Sequence, residues 1–276
     1  MDGKPMSRKH AVEVLSERGA PISERTLLSI ESSVTGIRTK DVLRAMIELY
    51  EIPDSEHDRL MDLWSHDRAN SDWAIGYRPY MTPSMTAYVG LEPDADSIRL
   101  YHPSVVHGLF QTPAYAEALY AAEQDVADVT NAFIGKHLGL RAERRRRVLQ
   151  RQPKPVTIRA ILGEGALRAI VGNSDVMQEQ WRELAFLSRL QHVHIQVLPF
   201  TSPGYRGLHD FAILALPSPL RTLVQADTAW GAVSTSDKPW EVARFVRAFD
   251  EMSSYALAPA ETPDFLHHLS EERVTT

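Results

Sequence analysis

The chain has 276 residues, of which 43% are hydrophobic and 24% are charged, and its formal net charge is −6. This composition is typical of folded globular proteins and excludes disordered, collagen-like and coiled-coil classes. The absence of cysteine excludes disulfides, cysteine nucleophiles and thiolate metal sites. No apolar run reaches the roughly 18 residues of a membrane helix, so we expect a cytoplasmic protein with no membrane partner.

Four short helices are predicted within residues 1–69. Helix caps are available at Ser7, Ser23 and Thr39, and a fourth helix begins at Ser55. Serine and threonine favour such positions because their hydroxyl oxygens accept a hydrogen bond from a backbone N–H of the first turn. Apolar residues then recur three or four positions apart. The pattern predicts a small all-α module.

The composition changes after this module. The segment "NSDWAIGYRPY", residues 70–80, is rich in Trp, Tyr, Gly and Pro and loses the helical period. Such a change favours a domain boundary. We therefore expect two domains, at residues 1–69 and 70–276.

The second domain combines strands with helices. Strands are predicted at 97–103, 155–162, 192–200, 210–217, 221–227 and 229–236, and helices at 84–92, 112–120, 126–151, 177–190, 238–252 and 262–272. The last strands follow one another without intervening helices, which favours a mostly antiparallel sheet with helices on one face. The predicted fold class is α+β, with the small helical module first.

Strong enzyme motifs are missing. The sequence has no phosphate-binding Walker loop, no nucleophile elbow and no HExxH helix. The glycines of "GEGALRAIVG", residues 163–172, lack the spacing of a dinucleotide-binding loop, so this segment is interpreted as a turn. We expect neither a metal nor a cofactor.

One run of basic residues stands out. The sequence "RAERRRRVLQR", residues 141–151, precedes Pro153 at the predicted end of a helix. Such a run is typical of a solvated helix face. A phosphate-binding or partner-binding surface remains the alternative.

Two histidines lie close to aromatic residues. His102 and His107 flank "PSVV" and precede Phe110 and Tyr115. Histidine titrates near neutral pH, so such a residue in an aromatic pocket can act as an acid–base group or as a polar contact for a ligand. A buried histidine satisfied by the backbone is the structural alternative.

A second candidate for ligand recognition is the loop after "VLPF". Tyr205, Arg206 and His209 follow one another in this Gly-bounded segment. Loops held at a sheet edge can present hydrogen-bonding groups to a small molecule. If the domain is catalytic, His102, His107 and His209 are the candidate acid–base residues. Exposed side chains without a role are the alternative for this loop.

Several segments together resemble the WhiJ-like regulators of actinomycetes. They are "ISERTLLSIES", "DVLRAMIELYEIP", "IRLYHPSVVHGLFQTPAYAEAL" and "HVHIQVLPF", in that order. The resemblance implies a Cro-repressor-like helix-turn-helix of the XRE type joined to a C-terminal domain of uncharacterised function. It also implies transcription regulation, with a small partner protein in an antitoxin-like arrangement or a small-molecule effector bound by the second domain.

The resemblance places the recognition helix at residues 23–32. An arginine or threonine there can contact base edges or phosphates, and helix-turn-helix proteins usually pair two half-sites as dimers. We therefore expect a homodimer. The expected DNA-contacting residues are Ser23, Arg25, Thr26, Ser29, Arg38 and Lys40.

Several features depart from the family pattern. We expect the family's first helix to be incomplete here, and the turn after the recognition helix, "SSVTGIRTK", carries little basic charge. The recognition helix also holds Glu24 and Glu31, and carboxylates are repelled by phosphates. Residues 1–69 hold 10 basic and 13 acidic side chains, whereas DNA-binding modules are usually basic. In the second domain, the family usually has Pro at the position of His107 and an acidic residue at that of His102. Together these departures support an alternative, in which the scaffold has weakened DNA binding and acts as a small-molecule-binding protein or an enzyme of a biosynthetic pathway.

Overall fold

A computed structural model describes residues 6–32, 36–71, 73–124, 126–127, 129–207, 209–218, 220–227 and 233–274. The chain divides into two compact units, residues 1–73 and residues 74–276. Helices and a six-stranded sheet together confirm the predicted α+β class. No helix in the described ranges combines the length and apolar character needed to cross a membrane.

The first unit consists of helices in its described part. They are α1 (Arg8–Glu17), α2 (Glu24–Glu31), α3 (Lys40–Leu49) and α4 (Asp54–Ser71). The predicted caps are present, since Ser7, Ser23 and Thr39 each accept a first-turn N–H. The core is formed by apolar residues from α1, α2 and α3, among them Ala11, Leu15, Leu27, Val42, Ala45, Met46 and Leu49.

Gly19 makes the turn between α1 and α2 possible. Its φ of 76° lies in the left-handed region, which glycine enters without a steric penalty. The N–H of Ala20 then donates to the carbonyl of Leu15, and the N–H of Gly19 donates to that of Ser16. These two bonds end α1 in a Schellman motif, and the chain reverses into α2 after six residues.

The second unit contains the sheet and seven further α-helices in its described part. The strands are β1 (Ser97–His102), β2 (Thr157–Gly163), β3 (Val193–Leu198), β4 (Phe211–Ala215), β5 (Leu223–Asp227) and β6 (Val233–Ser236). The helices are α5 (Pro83–Leu91), α6 (Pro113–Glu123), α7 (Asn131–Val148), α8 (Glu164–Arg168), α9 (Ser174–Leu187), α10 (Pro239–Tyr255) and α11 (Thr262–Val274), with short 3-10 turns at Arg78–Tyr80, Glu92–Asp94 and Pro259–Glu261.

Two elements differ from their predicted form. The segment 163–172 is interpreted from sequence as a turn, but its residues Glu164–Arg168 form the short helix α8 directly after the end of β2. The long helix predicted from residue 126 begins at Asn131 instead. Thr130 caps α7 by accepting the N–H of Phe133, which fixes its start.

The sheet has the strand order β3-β2-β1-β4-β5-β6. β1 pairs in parallel with β2, and β2 pairs in parallel with β3, because helices cross over between them. The pairs β1–β4, β4–β5 and β5–β6 are antiparallel. The end of β1 at His102 therefore lies beside the start of β4 at Phe211, and the segments that flank the two strands meet at one edge.

Both faces of the sheet are buried. On one face, α10 packs Phe249 and Met252 against Tyr101, Ile161 and Phe211. On the other face, alternate residues of the three parallel strands are fully buried, among them Ile98, Leu100, Ile158, Leu162, Ile195 and Val197. Their burial on both faces agrees with the apolar character of these strands.

Gly163 permits a close approach of two backbones. A Cβ at this position would lie 2.8 Å from the carbonyl oxygen of Pro103 and 2.9 Å from its Cα. We expect Gly163→Ala to lower the free energy of unfolding by about 1–3 kcal/mol, because neither backbone can move freely. Urea unfolding of the two proteins measures this difference.

The matched control is Gly135→Ala in α7. A Cβ at Gly135 would meet no atom within 4 Å, and the residue lies within a helix. Alanine should therefore raise the stability by about 0.5–1 kcal/mol. Equal effects of the two substitutions would contradict the close contact at Gly163.

Candidate functional site

The first candidate site is the exposed side of α2. Ser23 and Thr26 are engaged in the helix cap, since their hydroxyls lie 2.8 Å apart and Ser23 Oγ accepts the Thr26 N–H. Arg25 and Lys40 are exposed, and neither makes an ion pair or side-chain hydrogen bond within the described ranges. The residues predicted to contact DNA therefore fall into two groups: Ser23 and Thr26 cap the helix, and Arg25, Arg38 and Lys40 are exposed cations. Ser29 is half-buried.

Glu31 ties α2 to its neighbours. Its carboxylate accepts Arg8 Nε at 2.9 Å and the hydroxyl of Tyr50 at 2.7 Å. The Tyr50 hydrogen bond and then Arg8 lower the pKa of Glu31, while burial and Glu31 raise the pKa of Tyr50 to about 12. This carboxylate is therefore a structural link whose charge Arg8 offsets.

The second candidate site surrounds the segment between β1 and α6, residues 103–112. Side chains from other elements satisfy its buried backbone groups. Gln180 of α9 donates to the Phe110 carbonyl and accepts the Thr112 N–H, both at 2.8 Å. The hydroxyl of Tyr115 accepts the Val106 N–H at 3.3 Å. The fixed course of this segment follows from these bonds, because unpaired buried backbone groups are costly.

A buried ion pair lies next to this segment. Arg144 of α7 donates from Nε and Nη2 to the two carboxylate oxygens of Glu92, at 2.7 and 2.8 Å. The side chains are only 7% and 0% exposed. Burial opposes the charged form of Arg144, yet the Glu92 carboxylate raises the pKa of Arg144 above its ordinary value. The pair is thus a fixed contact between α7 and the 3-10 turn after α5.

His102 and His107 come together as a pair of imidazoles whose ring planes are inclined at 60° to each other. Their ring centres lie 4.7 Å apart, and the ring of Phe110 meets His107 edge-on at 6.0 Å. Nδ1 of His107 accepts the Leu109 N–H at 3.3 Å, so its proton is on Nε2. Nδ1 of His102 lies 3.5 Å from a carboxylate oxygen of Asp210, without the geometry of a hydrogen bond.

Burial keeps both imidazoles neutral. The pKa of His102 is lowered to about 4, chiefly by burial. The Asp210 carboxylate opposes this shift, and the Arg144 charge adds to it. Burial also lowers the pKa of His107 well below the usual value, and His102, Arg144 and Arg141 add to the effect. Neutral imidazoles can accept or donate a proton, but both rings lie within the packed interior.

The loop after β3 stands apart from this pair. Tyr205 is 51% exposed, and the His209 side chain is exposed. Arg206 directs its Nη2 at the carbonyls of Pro199, Phe200 and Ser202, so it organises its own loop. The structure thus brings together His102, His107 and Phe110, with Tyr115 bonded to the same segment. No hydrogen bond, ion pair or ring contact among the described residues joins Tyr205, Arg206 or His209 to that group.

A cavity of about 270 Å³ opens beside the same segment. Its walls come from the start of α6, from α7 and from α9. It is lined by Gly108, Gln111, Thr112, Pro113, Ala116, Leu138, Arg141, Ala142, Arg145, Glu179 and Glu183. None of the residues predicted from sequence to bind a ligand is among them, although Arg141 and Arg145 belong to the basic run that the sequence had marked.

The basic run divides according to the helical period. Arg144 is buried in its ion pair, and Arg146 and Arg147 pair with Glu143 at the surface. Arg141 and Arg145 are four residues apart and therefore share one face. The interpretation as a solvated face holds only for part of the run.

The described ranges contain no group of three or more His, Asp or Glu side chains arranged to hold a metal ion. The pair of histidines with Asp210 does not form such a group.

Comparison with known proteins bears on the second unit. A family model described as "Domain of unknown function (DUF5753)" matches residues 85–268, about two thirds of the chain. The chain belongs to the DUF5753 family. Neither the curated proteins nor the solved structures give a significant match. The prediction of a C-terminal domain of uncharacterised function is confirmed, and the DUF5753 match covers the histidine pair, the ion pair and the cavity.

The ion pair of the DUF5753 domain provides a test of this arrangement. We expect Glu92→Leu or Arg144→Met alone to lower the free energy of unfolding by about 3–5 kcal/mol, because each leaves one buried charge without its partner. The double variant should lose less than the sum of the two. Chemical unfolding of the three variants gives the coupling energy, and strictly additive losses would contradict the pair.

The histidine pair predicts a loss of stability in acid. In the unfolded chain histidine takes up a proton below about pH 6.5, whereas folded His102 does so only near pH 4. Between these values the unfolded state binds more protons. The contribution of the neutral His102 to the free energy of unfolding is therefore fully present above about pH 6.5. It is lost as the pH decreases towards about 4.

His102→Asn removes one of the titrating groups. The loss of unfolding free energy in acid should become smaller by up to about 3 kcal/mol. This amount corresponds to the difference between the pKa values of His102 in the unfolded and folded states. Thermal unfolding across the pH range measures it. His267→Asn, at a side chain 70% exposed, is the control and should retain the wild-type profile. An unchanged profile for His102→Asn would contradict the neutral, buried state of this ring.

Proposed function

We propose that the protein is a cytoplasmic, homodimeric transcription regulator. In this proposal the first unit binds DNA, and the DUF5753 domain binds a small effector or a partner protein. The observation that carries the proposal is a pair of short helices, α1 and α2, joined by a turn at Gly19, with Arg25 of α2 exposed.

The geometry of α2 supports DNA contact. The first residues of a recognition helix approach the base edges in the major groove, and Arg25 is the second residue of α2. Its guanidinium is free to make a bidentate contact with a guanine, the commonest specific contact of arginine. Lys40 begins α3 and is suited to a phosphate. Leu27 is fully buried and anchors the helix from its opposite side.

The acidic balance of the unit limits the strength of such binding. At least four of its carboxylates are offset by arginines of the same unit, in the pairs Arg8–Glu31, Arg18–Glu48, Arg44–Asp41 and Arg59–Glu56. The charges of these four arginines are offset in turn. Few cations then remain for phosphates, so the nonspecific, salt-dependent part of the affinity is small. Specific contacts such as that of Arg25 must supply much of the binding free energy.

The cavity supports effector binding by the DUF5753 domain. Its volume of about 270 Å³ is close to the lower bound of about 300 Å³ for small-molecule pockets. The segment 103–112, which forms part of its wall, is held by hydrogen bonds with the side chains of Tyr115, Gln180 and Arg141. A pocket with preformed walls loses little conformational entropy when a ligand binds.

The DNA-binding part of the proposal is tested by Arg25→Ala. Loss of the arginine should weaken binding about tenfold or more, since a good bidentate base contact contributes roughly 1–3 kcal/mol. The measurement is fluorescence anisotropy at low salt, with the full chain and a labelled duplex from upstream of its own gene.

Arg59→Ala is the matched control, because Arg59 belongs to the same unit and pairs with Glu56 at 2.6 Å. It should bind as tightly as the wild type. If the wild type fails to bind the duplex at low salt, or if Arg25→Ala binds equally well, the proposal of a DNA-reading α2 is overturned.

A second candidate function is a small-molecule-binding protein or enzyme on the same scaffold, with weakened DNA binding. The observation that favours it is the excess of acidic over basic side chains in residues 1–69. This candidate predicts ligand binding by the DUF5753 domain together with no DNA binding. Capture of a small, separately encoded protein by the wild type in the absence of DNA would favour partner binding instead.

A further inference from the structure

The charge of Arg141 is not matched within the cavity wall. Its Nε donates to Gln111 Oε1 at 2.8 Å, and its Nη1 donates to the Tyr120 hydroxyl at 2.5 Å. Both acceptors are neutral, and no carboxylate of the described ranges lies within ion-pair distance. Arginine has five N–H donors, so these two bonds leave donors for another group. The guanidinium is half-buried, where a counter-charge is favourable.

The other charges of the cavity do not supply this counter-charge. Arg145 is paired with Glu183, so these two side chains offset each other. Glu179 is exposed, and solvent and salt weaken its interactions. Arg144 adds a further guanidinium close by, because a Cβ at Gly108 would lie 3.5 Å from Arg144 Nη1 and 3.6 Å from Arg141 Nε. Glu92 already satisfies Arg144.

The Arg141 side chain is held in a defined orientation. Gln111 is fixed from its other end, since its Nε2 donates to the Val106 carbonyl at 2.7 Å. The Tyr120 ring lies under the guanidinium with 4.7 Å between the ring centre and Cζ. A preorganised arginine binds an anion at a lower entropic cost than a mobile one.

Part of the lining is apolar. Pro113, Ala116, Leu138 and Ala142 border the cavity, and they offer contact surface for a hydrocarbon or aromatic group. Ligand pockets commonly combine such a lining with a few polar groups that fix the orientation. An occupant therefore needs one anionic end and one apolar end.

We infer that the cavity between α6, α7 and α9 binds a small organic anion, whose carboxylate or phosphate is held by Arg141 and whose apolar part lies against Ala116 and Leu138. This deepens the proposed function, because it names the ligand class of the effector site. Carboxylate and phosphate groups share the bidentate contact that a guanidinium makes, because each offers two oxygen atoms to it.

The experiment is isothermal titration calorimetry of the full chain without DNA. The probes are benzoate and phenyl phosphate, which distinguish the two head groups, and benzyl alcohol as the neutral analogue. We expect one of the anions to bind, and benzyl alcohol to bind at least about tenfold more weakly, because a hydrogen bond to a charged group is stronger than a neutral one. Absence of binding by both anions would overturn the inference.

Arg141→Gln should weaken binding of the anion at least about tenfold while leaving that of benzyl alcohol unchanged. Arg146→Gln is the control on the same helix, since Arg146 is 57% exposed and pairs with Glu143; it should bind as the wild type does. Equal binding of the anion by Arg141→Gln and the wild type would overturn the role of Arg141.

A second variant leaves Arg141 in place. Ala142 is exposed and lines the cavity, so Ala142→Phe should fill the space without disturbing the core. Loss of anion binding is expected, and retained binding would overturn the assignment to this cavity. Because these titrations contain no DNA, their failure leaves the test of Arg25 unaffected, and failure of DNA binding leaves the ligand site standing.

Discussion

The buried ion pair between Arg144 and Glu92 constrains much of the DUF5753 domain. Neither group is solvated, so each depends on the other for compensation of its desolvation. The bidentate contact sets the rotation of α7 about its own axis. With that rotation fixed, the 3.6-residue period turns Arg141 and Arg145 towards the cavity and leaves Arg146 at the surface. A single contact therefore determines which arginines of the run meet a ligand.

The same pair influences the histidines. A permanent positive charge on Arg144 disfavours protonation of the nearby imidazoles, in addition to the effect of burial. The His102 and His107 rings can then lie with their centres 4.7 Å apart without charge repulsion. Because the imidazoles are neutral, they add no positive charge near the cavity. The Arg141 guanidinium is then a cation of the cavity wall without a counter-charge among the described residues. The electrostatic roles are thus separated: Arg144 serves the fold, and Arg141 serves the ligand.

Local patterns were enough to predict most of the elements. Ser23, Thr39 and Thr112 are helix caps in the structure because capping depends only on a hydroxyl and the next few N–H groups. The grouping of His102 with Tyr115 also follows from closeness in sequence. The bonds of Arg206 to the carbonyls of its own loop and the position of the cavity could not be predicted in this way. Partners such as Gln180, which is 70 residues beyond Phe110, carry no local signal, and the parallel pairing of β1 with β2 depends on long crossovers.

The segment "HPSVVHGLFQTP" shows why a specific sequence block need not consist of ligand contacts. Gln111 supports its own loop and Tyr115 accepts one of the loop's N–H groups, so these polar side chains satisfy backbone groups that would otherwise be buried without partners. Substituting any of them affects the position of the whole wall. Arg141 differs, because its described bonds are to neutral oxygens and leave its charge uncompensated. Structural networks usually balance their charges, as Arg144 with Glu92 and Arg145 with Glu183 do. An oriented, unbalanced cation beside a cavity is therefore better explained by a bound anion than by the stability of the fold.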